Sequence, residues 1–521
     1  MSEYFNLSYI PERMALVRPE HLATIYGERE RTWAAFHDRL TRLAAGLKGG
    51  GVQPQDIVAV LAENSDRYFE LYFTPAWIGA VLAPLNTRWS YKENLYALQD
   101  SGAQTLFFDD SFMEIARHLN DDRNHAIKNF IYMGDKECPA WARDYEMMIS
   151  ENQPAPQHLT RGSDMVMLMY TGGTTGTPKG VMVSHRGIWS SIISASHDIG
   201  CHEGDRYLHA APMFHAGDLG MSLAAAVSGA TQVMINHFSV EGVLTAISDK
   251  KVTQTLLVPT MVKMLLADER IKTADISSLR QLIYGASPMP EGLLLQCMEQ
   301  LPQVDLVQVY GQTELSPIAT VLPASDHTVG NKRLRSAGRS CLCIALRIEG
   351  DKGNILPAGA VGHVVVHGPN MMIGYWNKPE MTAATLKDGW IYTGDAGYLD
   401  TDGYLYLVDR IKDMIISGGE NVFSAEVESV ISLCPGVADV AIIGIPDAQW
   451  GEAVHALVIL KQGSGTTEED IIRHCRENIA DYKCPRQVEL RSEPFPLSAA
   501  GKTLKAELRK PYWPEGERHV N

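Results

Sequence analysis

Three short apolar runs, each cut off by a breaker, constrain the fold of this chain most: Leu256-Leu257-Val258-Pro259, Leu282-Ile283-Tyr284-Gly285 and Leu306-Val307-Gln308-Val309-Tyr310-Gly311. The same texture begins earlier. Trp33 to Leu47 carries apolar residues at helical spacing, Ile57 to Leu61 is a continuous apolar run, and Ala76 to Leu85 and Thr105 to Asp109 continue strand, helix, strand. Such alternation predicts βαβ units and a largely parallel sheet. In open α/β sheets, ligands sit at the carboxyl ends of the strands.

After about residue 340 the pattern changes. Ala345 to Glu349 and Gly362 to His367 read as alternating strands between Gly and Pro turns. From Tyr404 the chain reads strand, turn, strand, a helix around Glu426 to Ile431, then strands over Val440 to Ile445 and Ala453 to Leu460. Thr467 to Asp470 before Ile471-Ile472 fits a helix capping box. A length of 521 residues calls for more than one domain. The fold class expected is α/β: a large N-terminal domain with mainly parallel sheets plus a β-rich subdomain, then a small α+β C-terminal domain. The boundary falls near Asp409 to Asp413.

Lys plus Arg is 46 and Asp plus Glu is 62, a net charge of −16, which disfavours a general nucleic-acid binder. One local positive site for ATP is still compatible with that balance. No apolar stretch is long enough for a membrane span, and Met1 to Asn6 lacks the character of a secretory signal. The eight cysteines form no C-x-x-C pair and have no histidine partners at zinc spacing, so reduced thiols and a cytoplasmic location are expected.

The strongest local signal is Tyr170-Thr171-Gly172-Gly173-Thr174-Thr175-Gly176-Thr177-Pro178-Lys179-Gly180. Glycines let successive N–H groups turn toward one anion, threonine hydroxyls add donors, and Lys179 adds a compact charge suited to polyphosphate. Pro178 before Lys179 and Gly180 after it exclude a Walker A loop.

This loop resembles the signature of the adenylate-forming superfamily, which includes acyl-CoA synthetases, adenylation domains and firefly luciferase. Many members carry Ser where this chain has Gly172, so one hydroxyl donor is missing. Further matches follow in the family's order and cover most of the chain. Gly285-Ala286-Ser287 and Tyr310-Gly311-Gln312-Thr313-Glu314 resemble the segments beside adenine and the α-phosphate. The resemblance implies that Tyr310 stacks on adenine, Thr313 bonds the α-phosphate and Glu314 holds Mg²⁺. Taken alone, Glu314 would read as a solvated carboxylate. Tyr392-Thr393-Gly394-Asp395 is similar to the ribose motif, with Asp395 accepting from the hydroxyls. Asp409 to Asn421 looks like the interdomain linker: Arg410 would contact ribose, Lys412 would be the hinge, and Gly418-Gly419 would border the pantetheine channel of CoA. Pro496 to Lys502 resembles the loop of the adenylation lysine, Lys502, although Ala500 replaces the usual Ser or Thr. The resemblance thus implies an AMP-binding domain over 1–409, a hinge over 410–413 and a mobile lid over 414–521.

The chemistry suits these residue types. Attack of a carboxylate on the α-phosphorus of ATP concentrates negative charge, so catalysis comes from positioning and counter-charge, which the resemblance implies Thr175, Lys179, Lys502 and Mg²⁺ on Glu314 would supply. Pro212 to Gly217 resembles the segment where acyl- and aryl-CoA synthetases carry a His beside the acid. Amino-acid-activating relatives have Asp there, so His215 favours an acid without an α-amino group. Apolar neighbours Met221, Leu223, Ala224, Ala225 and Val227 suit an apolar tail, fatty or aromatic. The leading reading is therefore an ATP-dependent acyl-CoA ligase, with a small carboxylic acid, ATP and CoA as partners and a homodimer left open. Two alternatives stand beside it: a free-standing adenylation protein that loads a carrier protein, and a nucleotide-binding sensor without turnover.

Overall fold

The structure is a computed structural model. It describes residues 5–122, 124–172, 178–410, 413–417, 420–447, 449–497 and 503–513, with the side chain of Asn421 excepted. Among these residues, no helix is long and apolar enough to cross a membrane.

The three runs that end in breakers form strands Gln254–Leu257, Gln281–Gly285 and Asp305–Gly311. They pair in parallel, with Leu256 opposite Ile283 and Leu282 opposite Leu306. Their near-continuous apolar sequence follows from burial on both faces, since helices cover each side of a parallel sheet. In the same sheet, Arg206–His209 and Thr231–Met234 continue the parallel core on one side. Ile318–Leu322 adds antiparallel on the other.

A second sheet is built on Ile57–Leu61, flanked in parallel by Val81–Pro84 and Thr105–Phe108. It extends through Met165–Thr171 to the antiparallel strand Lys179–Ser184 and then to Gly374–Tyr375. The helical spacing read at Trp33 becomes the helix Trp33–Gly49, opened by the Thr32 side chain accepting from Ala35 N. It buries Trp33, Phe36, Leu40, Leu43 and Leu47 against the core. Full burial of each such side chain contributes about 1.5–3 kcal/mol.

The β-rich part pairs Ala345–Glu349, Gly362–His367, Trp390–Leu399 and Leu405–Arg410 antiparallel. Beyond it, Ile415–Ser417, Gly451–Leu460 and Val437–Asp447 form a last sheet, joined in parallel by Gln487–Arg491. Helices Ser424–Ser432 and Glu468–Asn478 cover it around Ile415, Val427, Ile431, Val454 and Ile471. The capping box predicted at Thr467 is present, with Asp470 as its reciprocal partner. The expected fold class is the observed one.

One consequence of this topology positions everything that follows. Thr171, His209, Gly285 and Gly311 are each the last residue of a strand. The site segments therefore begin where these strands stop.

Candidate active site

Strands Met165–Thr171 and Lys179–Ser184 form a hairpin in which Thr171 lies opposite Lys179. The pairing holds the two ends of the Gly- and Thr-rich loop together. Among the described residues Thr171 Oγ1 is buried without a hydrogen-bond partner, and Gly172 is exposed. Gly173, Thr174 and Thr175 lie outside the described residues. Lys179 Nζ donates to Glu314 Oε1 at 2.8 Å and to Tyr375 Oη at 2.8 Å, and it sits 4.2 Å from the centre of the Tyr375 ring. Tyr375 in turn donates its hydroxyl to Glu314 Oε1 at 2.7 Å. Burial alone would raise the Glu314 carboxyl, but the charge of Lys179 and the two hydrogen bonds outweigh it and hold the group below its ordinary range. The turn that carries Glu314 is fixed from behind. Asn370 Nδ2 donates to the carbonyls of Leu315 and Ile318, and Met372 N donates to the Glu314 carbonyl at 2.8 Å.

Four residues earlier, Tyr310 donates its hydroxyl to Asp395 Oδ2 at 2.6 Å, and Arg410 Nε lies 2.6 Å from Asp395 Oδ1. Asp395 and Arg410 face each other in adjacent strands. Burial first, and then the Asp395 charge, push the Tyr310 hydroxyl well above its ordinary value, so it stays a donor. The neighbouring Asp409 takes a different partner, accepting from Ser424 N at 2.5 Å at the start of helix Ser424–Ser432. Two glycines are required sterically. A Cβ on Gly285 would meet the Val309 carbonyl oxygen at 2.3 Å, and one on Gly311 would meet the Pro317 oxygen at 1.9 Å. Ala286 turns away from the strand with a left-handed φ of 65°. Ser287 and Thr313 are half-buried, and Thr313 opens the short turn Thr313–Leu315.

His215 caps the helix Ala216–Val227, with its Nδ1 accepting from Gly217 N at 3.1 Å. Met221, Leu223, Ala224 and Ala225 of that helix are buried and Val227 is half-buried. Beneath the cap, His209 and Asp218 pair at 2.7 Å with both side chains fully buried, and the Tyr207 hydroxyl donates to the same carboxylate at 3.1 Å.

Residues 11–376 match the AMP-binding enzyme family, and residues 426–502 match the AMP-binding enzyme C-terminal domain. The chain belongs to the AMP-binding enzyme family. A feruloyl-CoA synthase from Amycolatopsis sp is 37% identical over 96% of this chain and 98% of its own. A fatty acid–[acyl-carrier-protein] ligase from Streptomyces coeruleorubidus is 35% identical over 96% of each chain. Among solved structures, the o-succinylbenzoate CoA synthetase of Bacillus subtilis, in complex with its acyl-adenylate intermediate, superposes with a TM-score of 0.83 at 31% identity, covering 98% of both chains.

In this AMP-binding enzyme the sequence-derived residues fall into clusters. Lys179 meets Glu314, Tyr310 meets Asp395 and Arg410, and the short segment 310–314 joins the two groups. His215 stands at the same strand-end edge of the sheet, after Arg206–His209. Lys412, Gly418, Gly419 and Lys502 lie outside the described residues. Sequence reasoning missed Tyr375 and Asn370. Both act by touching residues far away in the chain, and the only local signal is an aromatic pair, Tyr375-Trp376, directly behind Gly374.

Proposed function

We propose that this AMP-binding enzyme couples an apolar carboxylic acid, fatty or aromatic, to the thiol of CoA. ATP is cleaved to AMP and pyrophosphate through an acyl-adenylate. The chain is an AMP-forming acid–thiol ligase with ATP and CoA as co-substrates. The observation that carries the reading is the convergence of a cation–carboxylate–phenol cluster and a phenol–carboxylate–guanidinium cluster at the two ends of Tyr310 to Glu314. The spacing suits a nucleotide whose phosphates lie toward Lys179 and whose ribose lies toward Asp395.

In the first step the acid's carboxylate oxygen attacks the α-phosphorus and pyrophosphate leaves. On this reading Lys179 and the loop from Thr171 to Thr175 take the leaving phosphates, with Thr171 Oγ1 as an unused buried group at the loop's edge. Thr313 donates to the α-phosphate, while Gly285, Ala286, Ser287, Tyr310 and Gly311 surround the adenine. Asp395 accepts from the ribose hydroxyls and Arg410 braces it. Lys502 bridges the acid and the α-phosphate. Magnesium fits the donor set: no cluster of three or more metal-ligating side chains occurs among the described residues, and a single ionised carboxylate at Glu314 suits a cation completed by phosphate oxygens. Bound there, it would neutralise charge on the phosphates. His215 lies toward the acid.

In the second step the thiol attacks the acyl carbonyl and AMP leaves. A C-terminal unit over 414–521 turning about Lys412 would withdraw Lys502 and bring Gly418-Gly419 to the pantetheine arm. The free cysteines agree with a reducing, cytoplasmic setting.

Acid-dependent exchange of labelled pyrophosphate into ATP tests the first step, and AMP release with CoA across fatty and aromatic acids tests the whole. Absence of exchange with every acid would leave a nucleotide binder without turnover and end this reading. The carrier-protein relative supports a second reading, so a pantetheinylated carrier protein is compared with CoA as acceptor.

A further inference from the structure

Asn64 follows strand Ile57–Leu61 of one sheet, yet its side chain binds the chain leaving strand Arg206–His209 of the other. Its Nδ2 donates to the carbonyls of His209 at 3.3 Å and Ala211 at 2.9 Å, and its Oδ1 accepts from Met213 N at 2.8 Å. Tyr72, from the same connection, donates its hydroxyl to the Met213 carbonyl at 2.6 Å. Both polar groups of Met213 are thus held by side chains that belong to the other sheet. Two residues on stands His215, whose N–H returns to the Pro212 carbonyl at 3.0 Å. Asn64 and Tyr72 are almost wholly buried, at 4% and 1% exposure, and the contacts above are to backbone of the His209 to Met213 stretch.

The stretch from Ala210 to His215 lies between a strand and a helix and has no ladder of its own. Buried backbone groups in such a stretch need partners from elsewhere, and each partner fixes a direction as well as a distance. An apolar residue would fill the space of Asn64 without fixing either.

We propose that Asn64 is a positioning residue for the acid substrate: by holding His209, Ala211 and Met213 it sets the path on which His215 is presented. The inference rests on the reading of His215 as the residue beside the acid.

The test measures KM for acid, KM for ATP and kcat in Asn64→Asp, Asn64→Leu and Tyr72→Phe, alongside thermal unfolding. Asn64→Asp keeps the size and the acceptor for Met213 N but turns the donor into an oxygen facing two carbonyls. It is expected to raise acid KM about tenfold or more while ATP KM stays within about twofold, and Tyr72→Phe to raise acid KM by roughly threefold. A control, Gln281→Leu, removes the buried Gln254–Gln281 bond of 3.0 Å in the same sheet. It should lower the melting temperature without changing the ratio of the two KM values. An unchanged acid KM in Asn64→Asp, or an equal rise in both constants, overturns the proposal. If Asn64→Leu does not fold, Asn64→Asp and Tyr72→Phe still decide. Failure of the underlying reading looks different, because the unaltered enzyme would then show no acid-dependent exchange at all.

Discussion

Lys179 Nζ lies 2.8 Å from Glu314 Oε1, so the cation proposed to meet polyphosphate is also the counter-ion of a buried carboxylate. The pair is asymmetric: the Lys179 side chain is 23% exposed and that of Glu314 is 8% exposed. Lys179 can therefore swing toward phosphate while Glu314 stays in place.

Replacing Lys179 with Met leaves that carboxylate buried with Tyr375 as its remaining side-chain donor. Because Lys179 is partly solvated, the loss of stability should be about 1–3 kcal/mol, below the cost of breaking a fully buried pair. Pyrophosphate exchange should fall by about 10²-fold. Urea denaturation and exchange rates check both, and an exchange rate within about threefold of the unaltered enzyme would remove Lys179 from the phosphate site.

Tyr375→Phe keeps the ring under Lys179 but deletes the hydroxyl that bonds Glu314. A loss of about 1 kcal/mol is expected. The Glu314 carboxyl, short of one donor, should also need more magnesium to reach half-maximal exchange. A magnesium titration in which wild-type and variant curves coincide argues that Glu314 serves structure alone.

Gly172 is where many members of this family carry Ser. Its φ lies outside the left-handed region, and among the described residues a Cβ there would meet nothing within 4 Å. Gly172→Ser should therefore fold normally and lower KM for ATP by roughly threefold to tenfold through one added hydroxyl donor. Steady-state kinetics at saturating acid decide it.

Lys502→Ala should abolish formation of acyl-AMP and leave thioester formation from supplied acyl-AMP largely intact. Equal loss of both half-reactions in single-turnover assays would contradict the division of labour between them.

His185 accepts from Leu7 N at 3.1 Å inside the core, and burial lowers its imidazole to about 4, partly opposed by Asp164. The unfolded chain binds the proton near pH 6.5, whereas the folded chain resists it down to about 4. Below pH 6.5 the unfolded state therefore holds more protons, and stability falls as pH drops through this window, by about 3 kcal/mol at its lower end. His185→Asn keeps an acceptor for Leu7 N and should flatten the decline between pH 6.5 and 4 in chemical denaturation. Parallel curves for the two proteins would show that other groups govern acid unfolding.

Much of this architecture was legible residue by residue. Leu256, Leu282 and Leu306 announce buried parallel strands because each run is apolar on both faces and stops at a residue that cannot continue it. Thr467 announces a helix start because its cap is local. The order of strands within each sheet was not legible, since pairing joins runs such as Leu22–Tyr26 and Thr231–Met234 that are far apart in the chain. Glu314 and Asp395, by contrast, could be named from their local motifs. Tyr375, Asn370 and Asn64 could not, because each is defined by the distant backbone or carboxylate that it satisfies.

Asp409 and Arg410 are consecutive in one strand, yet one grips the first turn of the Ser424 helix and the other grips Asp395. Neighbours in a strand project to opposite faces, so a single peptide plane lies between the two grips. Torque applied to that helix arrives at the Asp395 carboxylate with almost no slack. The pivot of any swing that spares Asp395 must lie downstream of this dipeptide, and a swing that releases Asp409 leaves the Arg410–Asp395 pair in place.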